Sequence, residues 1–191
     1  MPIKKILFAT SNQYKVEEAR QILKKYQIFL DHYCVNLPEL QNDSLEKIAK
    51  FSVTQIDPVI KGPIFVEDTG LFIEALNGFP GPFSAFVFRT IGNDGILKLL
   101  SETTNRSSYF KSIIVLRSSP SHSTDFKYSI FEGVTEGKIV LKKRGKKWGF
   151  DPIFEPIEGE GLTYAEMANK KVKISHRTKA LQKLGEVLSR I

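Results

Sequence analysis

"IKKILFATSNQYKVEEARQILKKY", residues 3–26, decides the architecture. Its opening, "IKKILFAT" (3–10), has the apolar run of a buried strand. "QYKVEEARQILKKY" (13–26) then changes period, with Val16, Ala19, Leu23 and Tyr26 on one face of a predicted amphipathic helix. Between them stand Ser11 and Asn12, residue types that start helices because a short side-chain oxygen accepts from an unsatisfied backbone N–H. A strand, a tight turn and a helix follow one another directly.

The same alternation continues. "QIFLDHYCVN" (27–36) reads as a second strand, "SLEKIAKFSVTQI" (44–56) as a second helix and "GPIFVED" (62–68) as a third strand. The order β-α-β-α-β predicts an α/β sheet with helices packed on it. "NGFPGPFSAF" (77–86) reads as a Gly/Pro loop and "NDGILKLL" (93–100) as a short helix. Residues 107–134 hold two β-rich runs around a Ser/Pro turn, the signature of an antiparallel hairpin. "GKIVLKKRGKKWGFDPIFEP" (137–156) is extended or loop, followed by a short helix at 163–169. A last helix covers about 175–190, with Leu181, Leu184, Val187 and Leu188 inward. There is no internal repeat or long linker, so residues 1–191 are predicted to form one domain, whose mixed sheet accommodates two lobes.

Composition narrows the class. A chain of 191 residues with 41% hydrophobic content is long enough to bury a core and is not disordered. It has no apolar run long enough to span a bilayer, and "MPIKKILFATSN" turns polar too early for a signal peptide, so a cytoplasmic protein without a membrane partner is expected. Cys34 is the only cysteine, which excludes an internal disulfide and a thiolate metal site; in its strand-like surroundings it is predicted as core or near-core. Lys and Arg outnumber Asp and Glu by 28 to 21, a net +7 that suits an anionic ligand. The run "KKRGKK" (142–147) offers phosphates a footprint but lacks interleaved aromatics, so it is read as a solvated loop with no stable nucleic-acid partner.

Four constellations can carry chemistry. In "TSNQYK" (10–15), the backbone N–H groups of a helix start can receive a phosphate, with Lys15 one turn in; an ordinary cap beside a solvated lysine would look the same. Glu67, Asp68 and Thr69 close the third strand, with Glu39 of "LPEL" as a distant partner. Magnesium on a phosphate needs only one or two carboxylates, and one beside it can deprotonate a water. Strand alternation allows only one of the adjacent acids to face a given pocket. The segment "KWGFDP" (147–152) offers Trp148 and Phe150 as a stacking face or as core. Ser175, His176 and Arg177 occupy the start of the last helix, where an Arg fork can donate to a ligand carbonyl.

Taken in order, "FATSNQYKVEEARQIL", "LPEL", "VEDTGLFIEALNGFPGPFSAFV", "GKIVLKKRG", "WGFDPIFEP" and "TYAEMANKKVKISHRTKAL" resemble the inosine triphosphate pyrophosphatase family over nearly the whole chain. The resemblance implies hydrolysis of ITP, dITP and XTP to the monophosphate and pyrophosphate, with Mg²⁺, by a homodimer. It implies a long mixed sheet with helices and two lobes around a deep nucleotide-binding cleft. By motif, Thr10, Ser11, Asn12 and Lys15 would hold phosphates, with Lys50 of "EKIAKF" reaching the same group. Glu39, Glu67 and Asp68 would serve Mg²⁺, Asp68 would be the water-activating base and Thr69 would touch substrate. Trp148, Gly149, Phe150 and Asp151 would form the aromatic segment, with Phe150 stacked on the purine. Lys171 would contact the nucleotide, and Ser175, His176 and Arg177 would read the 6-keto oxygen. The chain departs from the family where Ser11 replaces Gly, Lys147 replaces Gly and Val172 replaces Asn.

Three rival readings remain. A Maf-like pyrophosphatase would prefer pyrimidine or modified nucleotides, and Ser175-His176-Arg177 argues against it. A basic nucleic-acid-binding module, or a sensor that binds nucleotide without cleaving it, would show no triphosphate hydrolysis.

Overall fold

The computed structural model of the chain describes residues 4–38, 40–60, 62–118 and 126–190. The described residues form strands β1 (Lys4–Ala9), β2 (Ile28–Tyr33), β3 (Ile64–Ile73), β4 (Pro80–Gly81), β5 (Ser107–Ser118), β6 (Lys127–Ile139) and β7 (Phe154–Pro156). The helices are α1 (Gln13–Leu23), α2 (Leu45–Thr54), α3 (Ser84–Thr90), α4 (Gly92–Leu99), α5 (Lys171–Ile174) and α6 (His176–Arg190). The strands make one seven-stranded sheet in the order β2-β1-β3-β5-β6-β7, with β4 on β3. Pairing is parallel for β1 with β2 and β3, and antiparallel for β3 with β4 and β6 with β7. This is the mixed α/β sheet predicted.

The chain divides into two compact units. One comprises Met1–Asp68, Ser112–Gly133 and Arg177–Ile191, the other Thr69–Lys111 and Val134–His176. In the first unit, Phe8 of β1 stacks on Phe65 of β3 at 4.3 Å between ring centroids. Helix α1 buries Val16, Ala19, Ile22 and Leu23. Asn12 caps it, with Oδ1 accepting from the Lys15 N–H at 3.2 Å. Tyr26, predicted on the buried face, lies beyond α1 in a 3-10 turn and is only half-buried. Helix α6 buries Ala180, Leu181 and Leu184, whereas Val187 is 40% exposed and Leu188 half-buried. At 100° per residue, Val187 stands about 120° round the helix from Leu181, off the buried stripe, whereas Leu188 stays on it near the end of the helix. Cys34 is exposed and not in the core, because β2 ends at Tyr33.

The second unit has its own core, in which Leu71, Ile73, Ile96, Phe110, Phe150, Phe154 and Tyr164 meet. Phe110 packs edge-on against Phe154 at 4.8 Å. Here the elements depart most from expectation. Strand β3 does not stop at the paired acids but runs on to Ile73. Its second half is paired by β4, Leu71 opposite Gly81 and Phe72 opposite Pro80. Gly70 permits that approach: a Cβ there would stand 2.5 Å from the Gly81 carbonyl oxygen. Ser84 Oγ accepts from the Leu71 N–H at 2.8 Å and donates to the Gly81 carbonyl at 2.7 Å. Helix α3 starts at that serine, inside the stretch predicted as loop. In place of the helix predicted at 163–169 stand turns and a 3-10 helix (Ala168–Lys170), since Ala168 takes φ 46, a left-handed conformation that no α-helix continues.

Strands β5 and β6 neighbour one another in the sheet, as the arms of the predicted hairpin should, and the Ser/Pro turn at 119–125 lies outside the described residues. No described helix is long and apolar enough to cross a membrane.

Candidate functional site

In the first unit the chemistry gathers on three elements: the turn from β1 into α1, the middle of β3 and the start of α6. The turn is organised by its own side chains. Thr10 Oγ1 accepts from the Asn12 N–H at 3.1 Å, and the Thr10 carbonyl lies 2.8 Å from His32 Nε2. Lys15, the third residue of α1, reaches across to β3. Its Nζ donates to the Glu67 carbonyl at 3.0 Å and lies 3.6 Å from the Glu67 carboxylate.

Glu67 is the centre of a buried ionic cluster, its side chain 1% exposed. Arg177 Nε donates to both carboxylate oxygens, at 2.9 and 3.0 Å, and Ser112 Oγ donates to one at 2.6 Å. Arg177 Nη1 pairs with Glu18 of α1, and the Arg177 side chain is 6% exposed. Burial alone would push the Glu67 carboxyl up. The Arg177 and Lys15 charges and the Ser112 hydroxyl outweigh it and hold Glu67 well below the usual carboxylate range. Burial likewise works against the Arg177 charge, but Glu67 and Glu18 raise its pKa above the ordinary guanidinium value. Both groups are therefore charged at any working pH, and the guanidinium is held between two carboxylates.

In the second unit, residues 148–151 change direction at Gly149, whose φ of 68 is readily reached only without a Cβ. The consequence is a division of labour between the aromatics. Trp148 is 49% exposed, while Phe150 is 4% exposed and packs edge-on against Phe88 at 5.5 Å. Asp151 accepts from Lys171 Nζ at 2.7 Å, with both side chains largely buried. The Lys171 ammonium also sits 5.3 Å above the Tyr164 ring. His176 is buried with its ring stacked on Phe110 at 4.7 Å, and Ser175 ends α5 with its N–H on the Lys171 carbonyl.

The sequence model of the Ham1 family matches residues 6–187. The chain belongs to the Ham1 family. Among its relatives, the dITP/XTP pyrophosphatase of Methanopyrus kandleri is 48% identical over 184 residues, 95% of each chain. That of Korarchaeum cryptofilum is 43% identical over 97% of this chain and 96% of its own. The Ham1 protein of Staphylococcus aureus superposes with a TM-score of 0.80 at 26% identity, covering 98% of this chain and 99% of its own. A HAM1 protein from Coxiella burnetii has the same TM-score at 27% identity, covering 98% and 100%.

For this Ham1 chain the expected site residues sort as follows. Thr10, Ser11, Asn12, Lys15, Glu67, Asp68 and Arg177 belong to the first unit, and the ionic cluster brings Lys15, Glu67 and Arg177 together. Thr69, Trp148, Gly149, Phe150, Asp151, Lys171, Ser175 and His176 belong to the second. Lys50 is not brought into the cluster: it is exposed on α2, paired with Glu46 one turn earlier at 2.6 Å. Phe150 is not presented for stacking, because the Gly149 turn sends its ring into the core. Glu39 lies outside the described residues. Glu18 and Ser112 were missed. Glu18 sits three residues after Lys15 on the same helix face, a legible signal; Ser112, inside a β-rich run, carries none.

Among the described residues, no three His, Cys, Asp or Glu gather into a cage for a metal ion. Magnesium needs less when phosphate oxygens and water fill its other positions. Glu67 is a poor donor for it, since both its oxygens already accept from Arg177. Asp68, half-buried and the next residue along β3, points to the other face of the strand. This donor set fits an ion that arrives with its phosphate ligands.

Proposed function

We propose that this chain hydrolyses non-standard purine nucleoside triphosphates, dITP, XTP and ITP, to the nucleoside monophosphate and pyrophosphate. The observation that carries the reading is the match to dITP/XTP pyrophosphatases at 43–48% identity over 95–97% of the chain. The activity is assigned to the cytoplasm, where the nucleotide pool that it would cleanse is held.

In this mechanism the N–H groups of the turn into α1, together with Lys15, bind phosphate oxygens. Mg²⁺, which would neutralise charge on the triphosphate, is assigned to Asp68, with Glu39 as a second carboxylate. Asp68 takes a proton from water as the water oxygen bonds the α-phosphorus; the bond to the α–β bridging oxygen breaks, and pyrophosphate leaves with its electron pair. Glu67 serves the reaction through Arg177 and Lys15, whose positions it holds, and not as a metal ligand.

Base selection is assigned to Trp148, Lys171, His176 and Arg177. The exposed indole of Trp148 takes the stacking role first expected of Phe150. Arg177, locked in its charged form, donates to a 6-keto oxygen, as does His176. Adenine presents an amino group there, so donor would meet donor and the polar groups of the site would stay unpaired. Rejection of guanine, which shares the keto group, must come from its 2-amino side.

Self-association into a homodimer is part of the proposal. Its support is the exposed apolar set Phe79, Phe83, Phe86 and Ile91, on and beside α3, which are 39–59% exposed.

The product pair tests the reaction. Incubation with ITP should yield IMP and pyrophosphate in equal amounts, read by chromatography. IDP and orthophosphate would show cleavage at the wrong anhydride and refute the assignment of the attacked phosphorus.

A further inference from the structure

The proposed stacking ring is carried on a turn that lies outside the helices and strands. Trp148 precedes Gly149 in its left-handed conformation, and residues 141–148 are exposed apart from Arg144, which is half-buried. On the far side of the glycine the backbone is pinned by the Phe150 ring in the core. On the near side the indole has Phe88 of α3 as a tilted neighbour, at 6.2 Å between centroids. A side chain from α4 holds the peptide between these two anchors: Asn93 Nδ2 donates to the Gly149 carbonyl at 3.1 Å, across 56 residues of sequence.

The chemistry of this contact is specific to an amide. The Gly149 carbonyl can only accept, so the Asn93 amide must turn its NH₂ toward it. Its Oδ1 is then buried without a hydrogen-bond partner among the described residues. Leaving an amide oxygen unsatisfied costs free energy, so the bond to Gly149 is what keeps the side chain in this pose. An alanine would remove the donor. An aspartate would keep the shape and set a carboxylate against the carbonyl.

We propose that Asn93 is a positioning residue for Trp148: by holding the Gly149 carbonyl it fixes the turn that presents the indole to the purine base. The inference rests on the reading that Trp148 stacks on the base. The latch itself concerns only the free protein, so the two are separable by experiment.

Trp148 is the only tryptophan in the chain, so its fluorescence reports on this turn alone. Asn93→Ala and Asn93→Asp are compared with the unsubstituted protein in two assays: acrylamide quenching of the free protein, and steady-state hydrolysis of ITP with Mg²⁺. Both variants should show a raised quenching constant. Loss of one neutral hydrogen bond should raise KM for ITP by about three- to tenfold, with kcat held within about twofold. A purely structural contact would alter melting temperature without this pairing of indole accessibility and KM. If Asn93→Ala fails to fold, Asn93→Asp, which keeps the volume, carries the test. Unchanged quenching in the folded variants overturns the latch; changed quenching with an unchanged KM, where Trp148→Ala does raise KM, overturns the positioning role. Trp148→Ala with an unchanged KM for ITP would instead overturn the stacking reading.

Discussion

Glu67 and Asp68 are neighbours on β3 with the same functional group, and their surroundings separate them. Glu67 accepts from Arg177 and Ser112 and is closed off from water, so it stays ionised and cannot take a proton from substrate water near neutral pH. Asp68, half-buried, is the acid assigned to that step. Asp68→Asn should lower kcat for ITP by about 10²–10⁴-fold, the usual worth of a general base, while nucleotide binding by calorimetry persists. Full activity in that variant would remove Asp68 from the mechanism. Glu67→Gln should act on stability. Removing one member of a buried ion pair costs about 3–5 kcal/mol, measured as a lower urea midpoint at pH 7. The sign with pH follows from the lowered carboxyl: its stabilisation is complete above its ordinary value of 4.5 and is lost as pH falls through the lower value of the folded state. The wild-type stability curve should therefore slope down below about pH 4.5, and the curve of Glu67→Gln should be flatter there. Equal slopes would show that Glu67 is not the group responsible.

At the scale of elements, hydropathy period made β1, α1, β2, α2 and α6 legible to within about three residues at their ends, because each buries one simple stripe. Strand β3 was legible only to Asp68. Its continuation depends on Gly70 accepting the close approach of Gly81, a long-range fact with no local mark. Helix α3 was hidden for the same reason: the Gly and Pro residues before it signal a loop, and the helix starts only where Ser84 ties back to β3 and β4. Gly70→Ala should force the two backbones apart and cost about 1–3 kcal/mol, seen as a lower melting temperature. No change in melting would mean that β4 yields without cost. The site followed the same division. Lys15, Asp68, Lys171, His176 and Arg177 stand in motifs that sequence can show, whereas the exposure of Trp148 and the burial of Phe150 turn on one backbone angle at Gly149.

Over the whole molecule, the net charge of +7 and the exposed apolar side chains around α3 bear on partners more than on fold. The positive field should speed encounter with polyphosphate anions, and the apolar set is assigned to a second copy of the chain. Sedimentation should give twice the 21.7 kDa chain mass, reduced to a single chain by Phe86→Lys. A monomeric wild-type protein would assign the α3 surface to something else. The account turns, though, on which base the molecule accepts. Pyrophosphate release from ITP, XTP, GTP, ATP and CTP at equal concentration, with Mg²⁺ and with chelator, measures that directly. Metal-dependent release that strongly favours ITP and XTP is the predicted result. CTP outrunning ITP, or no release from any of the five, would contradict it.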